Sequence, residues 1–132
     1  MISPQPIRVM VVDKRPEIRE SLDAFLASYE DFDPVGSVTN GVQAIFLAVR
    51  VTPDVALVGV LPPEGHVTAT ISALNRASPH TRILMYCDSE LEELANETLK
   101  VGAVGYVLMN ISPDDLKQAI RTANARVATV SG

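Results

Sequence analysis

Short apolar runs alternate with amphipathic segments along almost the whole chain. Four runs are nearly continuous, at residues 7–12, 55–58, 83–86 and 104–108, and residues 35–38 form a weaker fifth. Runs of this length, without polar alternation, are typical of strands that are buried on both faces of a parallel sheet. The pattern therefore predicts five strands.

The segments between and after these runs carry apolar residues at helical spacing. Such a stripe forms one face of a helix, normally the face that packs on a core. Five stripes are present: Ile18, Leu22, Phe25, Leu26 and Tyr29; Val42, Ile45, Phe46 and Val49; Ile71 and Leu74; Leu91, Leu94, Ala95, Thr98 and Leu99; and Leu116, Ala119, Ile120 and Ala123.

Two helix starts have recognisable capping sequences. Ser89 is followed three residues later by Glu92, which predicts a capping box at the fourth helix. Ser112 is followed by Pro113 and two aspartates, the order expected of a cap, a first helical position and a first turn.

Five strand-then-helix units predict an α/β fold of the (βα)5 type, a doubly wound, parallel, five-stranded sheet between two helix layers. In such sheets the functional site lies beyond the carboxyl ends of the strands. We expect one domain over residues 7–125, an N-terminal tail at 1–6 and the start of a linker or a C-terminal tail at 126–132.

The sequence resembles the response-regulator receiver family over roughly residues 7–125. IRVMVVDKRPEIRESL is similar to the family's opening strand and acidic loop, and PDVALVGVLPPEG to its third strand and the loop that follows. RILMYC resembles the fourth strand, and GAVGYVLMNISPDDLKQAI resembles the fifth strand and last helix. The residues of this last segment are most similar to those of receivers that precede a helix-turn-helix domain. The resemblance implies a flavodoxin-like three-layer sandwich.

The resemblance also implies five positions for phosphorylation chemistry. In the family, two adjacent acids and a phosphoacceptor aspartate bind Mg²⁺, while a hydroxyl residue and a lysine bind the phosphoryl oxygens. The corresponding residues of this chain are Asp13, Lys14, Gly59, Cys87 and Met109. Only the first of them matches the family.

These differences predict a pocket that has lost its chemistry. Gly59 offers no nucleophile for an acyl phosphate, and Asp13 alone is a poor ligand set for Mg²⁺. The charges of Asp13 and Lys14 sum to zero, so we expect the Lys14 ammonium to lie at the metal position and to pair with Asp13. We therefore expect no cofactor, no metal and no enzymatic activity.

Composition narrows the class of protein. A net charge of −5 argues against direct nucleic-acid binding by this domain. The single cysteine excludes an intrachain disulfide and fits a reducing compartment. The apolar runs are too short for a membrane helix. We expect a cytoplasmic protein without membrane contact.

The function predicted is a phosphorylation-independent receiver in two-component-type signalling. The expected contact is a protein partner or a second copy, and the candidate residues are Glu92, Glu97, Tyr106, Lys117 and Arg121. Tyr106 stands at the family's switch aromatic, and it serves either as a switch for another signal or as a packing residue. The alternatives are a small-ligand sensor that uses room above Gly59, control of an appended DNA-binding domain, a phosphoacceptor at another residue, and an enzyme of the same superfold.

Overall fold

A computed structural model describes residues 5–60 and 66–126. The strands are β1 (Ile7–Val12), β2 (Phe32–Val38), β3 (Val55–Gly59), β4 (Arg82–Cys87) and β5 (Ala103–Leu108). The helices are α1 (Pro16–Ala27), α2 (Gly41–Val51), α3 (Val67–Ala77), α4 (Glu92–Leu99) and α5 (Pro113–Ala125). The predicted terminal segments lie outside the described residues except for residues 5, 6 and 126.

All described strand pairs are parallel, in the order β2-β1-β3-β4-β5. Side chains alternate across the sheet, so that Met10 and Val12 point to one face while Val9 and Val11 point to the other. Helices α2, α3 and α4 cover the first face, and α1 and α5 cover the second. The predicted doubly wound, three-layer fold is confirmed.

The predicted start of α5 is confirmed, whereas that of α4 is wrong. The Ser112 side chain accepts a hydrogen bond from the Asp115 backbone N–H at 3.1 Å, with Pro113 at the first position of α5. Ser89 instead begins a single 3₁₀ turn, and α4 starts at Glu92 with no side-chain cap. A short turn between β4 and α4 has replaced the capping box.

Helix α2 packs in a different orientation from the one its apolar stripe predicts. The small residues Ala44 and Ala48 are buried against the sheet. Val42, Phe46 and Val49 are 78%, 67% and 56% exposed. The apolar pattern located the helix correctly, but most of the stripe faces away from the core.

Candidate site at the carboxyl ends of the strands

The sheet brings all five predicted pocket positions to one edge. Asp13 and Lys14 follow β1, Gly59 ends β3, Cys87 ends β4 and Met109 follows β5. Strand β1 lies directly beside β3, and Gly59 pairs with Tyr86 of β4. The site is therefore formed by neighbouring strand ends, as the sequence predicted.

Asp13 is the centre of this site. Its side chain is buried, and its Oδ1 accepts hydrogen bonds from the Arg15 backbone N–H at 2.8 Å and from Arg15 Nε at 3.0 Å. Its Oδ2 accepts from Arg15 Nη2 at 2.9 Å and from the Tyr86 hydroxyl at 2.5 Å. The backbone contact is an Asx turn, which leads the chain into α1 at Pro16.

These contacts keep the Asp13 carboxylate ionised. Burial by itself raises the pKa of Asp13, because it disfavours the charged form. Hydrogen bonds from the Arg15 side chain, Tyr86 and the Arg15 backbone, together with the guanidinium charge, outweigh that effect. The pKa of Asp13 therefore lies below its usual value.

The cation beside Asp13 is Arg15 and not the predicted Lys14. The Arg15 guanidinium contacts both carboxylate oxygens, and its Nη2 also lies 3.6 Å from the Met109 sulfur. The Lys14 side chain is exposed. The Arg19 guanidinium also donates a hydrogen bond to the Asp13 backbone carbonyl, at 2.7 Å, so two arginines lie close to Asp13.

Tyr86 fills the space that the absent side chain of Gly59 leaves. A Cβ atom at Gly59 would collide with Asp13 Oδ2 and lie 3.1 Å from two ring atoms of Tyr86. Tyr86 is itself buried, and burial, followed by the hydrogen bond to Asp13 and the charge of Asp13, raises the pKa of its hydroxyl. The room that the ligand-sensor alternative assumed above Gly59 is taken up by these two side chains.

The remaining pocket positions contribute packing. Cys87 is fully buried, and burial, then the charges of Glu92 and Asp88, raise the pKa of its thiol. A thiol in this state is a poor nucleophile. Met109 packs, partly buried, against the core on the α1 and α5 side, and its backbone N–H donates to the Cys87 carbonyl at 2.9 Å.

The residues present do not fit a Mg²⁺ ion. Mg²⁺ takes oxygen ligands and usually one or two carboxylates. Here both oxygens of the Asp13 carboxylate are engaged by Arg15 and Tyr86, and Gly59 supplies no side-chain oxygen. Among the described residues, no three His, Cys, Asp or Glu side chains come together as a metal site.

Sequence reasoning missed Arg15 and Tyr86, the two residues that complete the site. Arg15 stands two residues after Asp13 and directly before Pro16, a spacing that suits an Asx turn at a helix start. Tyr86 lies opposite Gly59 only in the strand register, which the single sequence does not specify. Arg15 could have been found from this local spacing, whereas no local pattern indicates the role of Tyr86.

The predicted contact residues on α4, β5 and α5 all have partners within the chain. The Tyr106 hydroxyl donates to Glu92 Oε2 at 3.1 Å, and this hydrogen bond is the main cause that raises the Tyr106 pKa. Glu97 pairs with Lys100 at 3.2 Å. The other pairs are Lys117 with the Tyr29 ring, at 4.4 Å from the ring centroid, and Arg121 with Asp31.

Within the described part of the chain, no helix combines the length and the apolar character needed to cross a membrane.

Comparison with known proteins agrees with the fold. The family model of the response regulator receiver domain matches residues 9–121. The nitrate/nitrite response regulator protein NarL of Escherichia coli K12 is 31% identical over 125 residues, which cover 95% of this chain and 58% of NarL. The transcriptional regulatory protein YxjL of Bacillus subtilis is 32% identical over 117 residues, covering 89% of this chain and 54% of YxjL.

A solved structure of a receiver domain has a similar fold. The response regulator domain of Thermotoga maritima CheB superimposes with a TM-score of 0.80 at 27% identity, covering 92% of this chain and 98% of that domain. The chain spans just over half the length of the two curated relatives. With its match to the family model over most of its length, the chain belongs to the response regulator receiver domain family.

Proposed function

We propose that this receiver domain signals without phosphorylation and acts through contacts with protein. The observation that carries the proposal is the closed cluster of Arg15, Asp13 and Tyr86 around Gly59. The cluster satisfies its own charges and occupies the space in which the family's chemistry takes place.

The first support is the missing nucleophile. An acyl phosphate forms on a carboxylate oxygen, and Gly59 stands at the phosphoacceptor position. The nearest carboxylate, Asp13, accepts four hydrogen bonds and is buried. A carboxylate so engaged would have to break its contacts before it could attack a phosphoryl donor.

The second support is steric. Replacing Gly59 by aspartate would not by itself restore the acceptor, because its Cβ would collide with Asp13 and press on the Tyr86 ring. Pocket closure therefore depends on a complementary pair, a glycine on β3 and a tyrosine on β4. The single change Gly59→Asp would leave the Tyr86 ring in the pocket.

The third support is electrostatic. The Arg15 guanidinium supplies the positive charge that a divalent ion would otherwise bring to Asp13. A cation approaching Asp13 would meet like charge at a distance of a few ångströms, a repulsion of several kcal/mol at an effective dielectric of about 20. The domain would thus keep its local charge balance with no metal bound.

The output of such a domain is binding, and we expect no enzymatic activity. NarL and YxjL are named as regulators, and each is nearly twice as long as the segment it shares with this chain. Where a DNA-binding portion accompanies this domain in the full-length protein, we propose that the domain controls it through protein contacts.

The decisive test is an amide NMR titration with Mg²⁺ and beryllofluoride, a phosphoryl mimic. We expect no saturable shift at Asp13, Gly59, Cys87 or Tyr106. The single variant Gly59→Asp should remain equally unresponsive, because Tyr86 still blocks the site.

A rebuilt pocket serves as the positive control. It combines Lys14→Asp, Arg15→Ala, Gly59→Asp, Tyr86→Ala, Cys87→Thr and Met109→Lys, which together restore the family's ligand types and remove both the guanidinium and the ring. Localised shifts in the rebuilt variant alone support the proposal. Saturable shifts around the same residues in the unmodified chain contradict it.

A further inference from the structure

The apolar face of α2 carries the further inference. Val42, Phe46 and Val49, here called the α2 patch, are the three most exposed large apolar side chains in the described part of the molecule. They lie four and three residues apart, so they line up along two turns of one helix face. Contiguous exposed apolar residues of this kind mark contact surfaces more often than isolated ones do.

A groove adjoins the α2 patch. It has a volume of about 540 Å³ and runs between the first turn of α2 and the small side chains Ala69, Thr70 and Ala73 of α3. Val42 belongs to both the patch and the groove wall. The same surface thus presents a protruding aromatic ring and, beside it, a recess with apolar walls.

Charge is nearly absent from this surface. Arg50 is the only charged residue of α2, and no charged residue lines the groove among the described residues. The chain carries a net charge of −5, so two copies repel each other and come together with the least repulsion through an uncharged face. A neutral apolar face fits a partner face that is equally neutral and apolar.

We propose that the partner is a second copy of this chain, bound α2 against α2 in an antiparallel, two-fold symmetric dimer. A two-fold interface places residues near the axis against their own copies, so it needs a centre without charge. Phe46 is such a centre, because Val42 lies four residues before it and Val49 three residues after it. An axis midway between Ile45 and Phe46 brings Val42 of each copy opposite Val49 of the other, at the mouth of the groove.

The size of the surface sets the expected affinity. Stable interfaces bury about 800 Å² per partner, and three side chains with one groove make a smaller patch. We therefore expect a weak, concentration-dependent dimer. The α2 dimer names a contact surface for the function proposed above. It rests on that function in one respect, namely that the domain acts through contacts with protein.

The test is sedimentation velocity over a concentration series of the full chain, from about 10 μM to about 1 mM. The unmodified chain should shift from monomer toward dimer as concentration rises. Phe46→Glu should stay monomeric throughout, since it removes the ring and sets two carboxylates face to face at the axis. Leu99→Glu on α4, where Leu99 is 38% exposed, is the matched control and should dimerise like the unmodified chain.

A cross-link tests the register. When Val42→Cys and Val49→Cys chains are mixed under oxidation, the mixed disulfide dimer should exceed either self-linked dimer. A monomer at every concentration, a dimer that survives Phe46→Glu, equal loss in Leu99→Glu or preferential self-linking each overturns the proposal.

Repeating the series with beryllofluoride separates this proposal from the proposed function. A dimer present equally with and without beryllofluoride supports both. A monomer under both conditions overturns the α2 dimer and leaves the closed pocket standing. A dimer that forms only with beryllofluoride overturns the closed pocket.

Discussion

The strand-end pocket and the α2 face differ from the sequence-based expectation in opposite directions. The pocket is fuller than predicted, because Tyr86 and Arg15 occupy the space and supply the charge around Asp13. The α2 face is less buried than predicted, because Val42, Phe46 and Val49 are exposed in the described part of the chain. The polar groups around Asp13 are therefore satisfied within the chain, whereas large apolar groups on α2 are exposed.

The pocket and the α2 face should differ in what they contribute to the stability of the fold. An engaged, buried ion pair is costly to break, because a lost partner leaves a polar group unsatisfied in a low-dielectric site. An exposed apolar side chain contributes little to the fold, because it is still in water. Substitutions in the pocket should therefore act on folding, and substitutions on the α2 patch should act on association.

Among substitutions at the pocket and on the α2 patch, the largest effect is expected for Asp13→Ala. It leaves the Arg15 guanidinium and the Tyr86 hydroxyl without their acceptor, and we expect a loss of roughly 2–3 kcal/mol in the free energy of unfolding. Arg15 is 26% exposed and can regain water, which keeps the loss at the low end for a broken buried pair. Urea denaturation measures it, with Asp33→Ala at an exposed position of β2 as control. Equal stability of the two variants would show that the cluster does not stabilise the fold.

The pH dependence of stability sharpens the same point. Because the folded pKa of Asp13 lies below the unfolded value of about 3.9, its contribution is present above that value and is lost as pH falls through the folded pKa. The stability difference between the unmodified chain and Asp13→Asn should be constant above about pH 5 and shrink below about pH 4. Urea titrations of both proteins across this range measure it, and a difference that grows toward low pH contradicts the assignment.

Much of the fold could be read from residue pattern, since buried parallel strands are continuous apolar runs. The run at residues 7–12 coincides with β1, and Ser112 starts α5 as its capping sequence predicts. These features are local, so a single sequence carries them. Gly59 was also recognisable as a residue with no side-chain nucleophile.

What the sequence did not reveal depends on partners that are distant along the chain. The contact between Tyr86 and Asp13 joins residues 73 positions apart and exists only through the order β1-β3-β4. The orientation of α2 was misjudged because its small residues, Ala44 and Ala48, allow a close approach to the sheet, which the pattern of large residues hides. A stripe of large apolar residues shows that a helix is amphipathic, but not which face the sheet accepts.

The smallest effect on folding is expected for Phe46→Ala on α2, and the buried Phe32 serves as its reference. Phe46 on α2 is 67% exposed, whereas Phe32 at the start of β2 is 5% exposed. Phe32→Ala should lower the free energy of unfolding by about 3–5 kcal/mol, while Phe46→Ala should change it by less than about 0.5 kcal/mol at a concentration where the chain is monomeric. Urea denaturation at low and high protein concentration decides the matter, because a dimer adds stability by mass action and only Phe46→Ala should remove that addition. A large loss for Phe46→Ala in the dilute sample would mean that the α2 face packs within its own chain, and the contrast between a closed pocket and an open face would no longer hold.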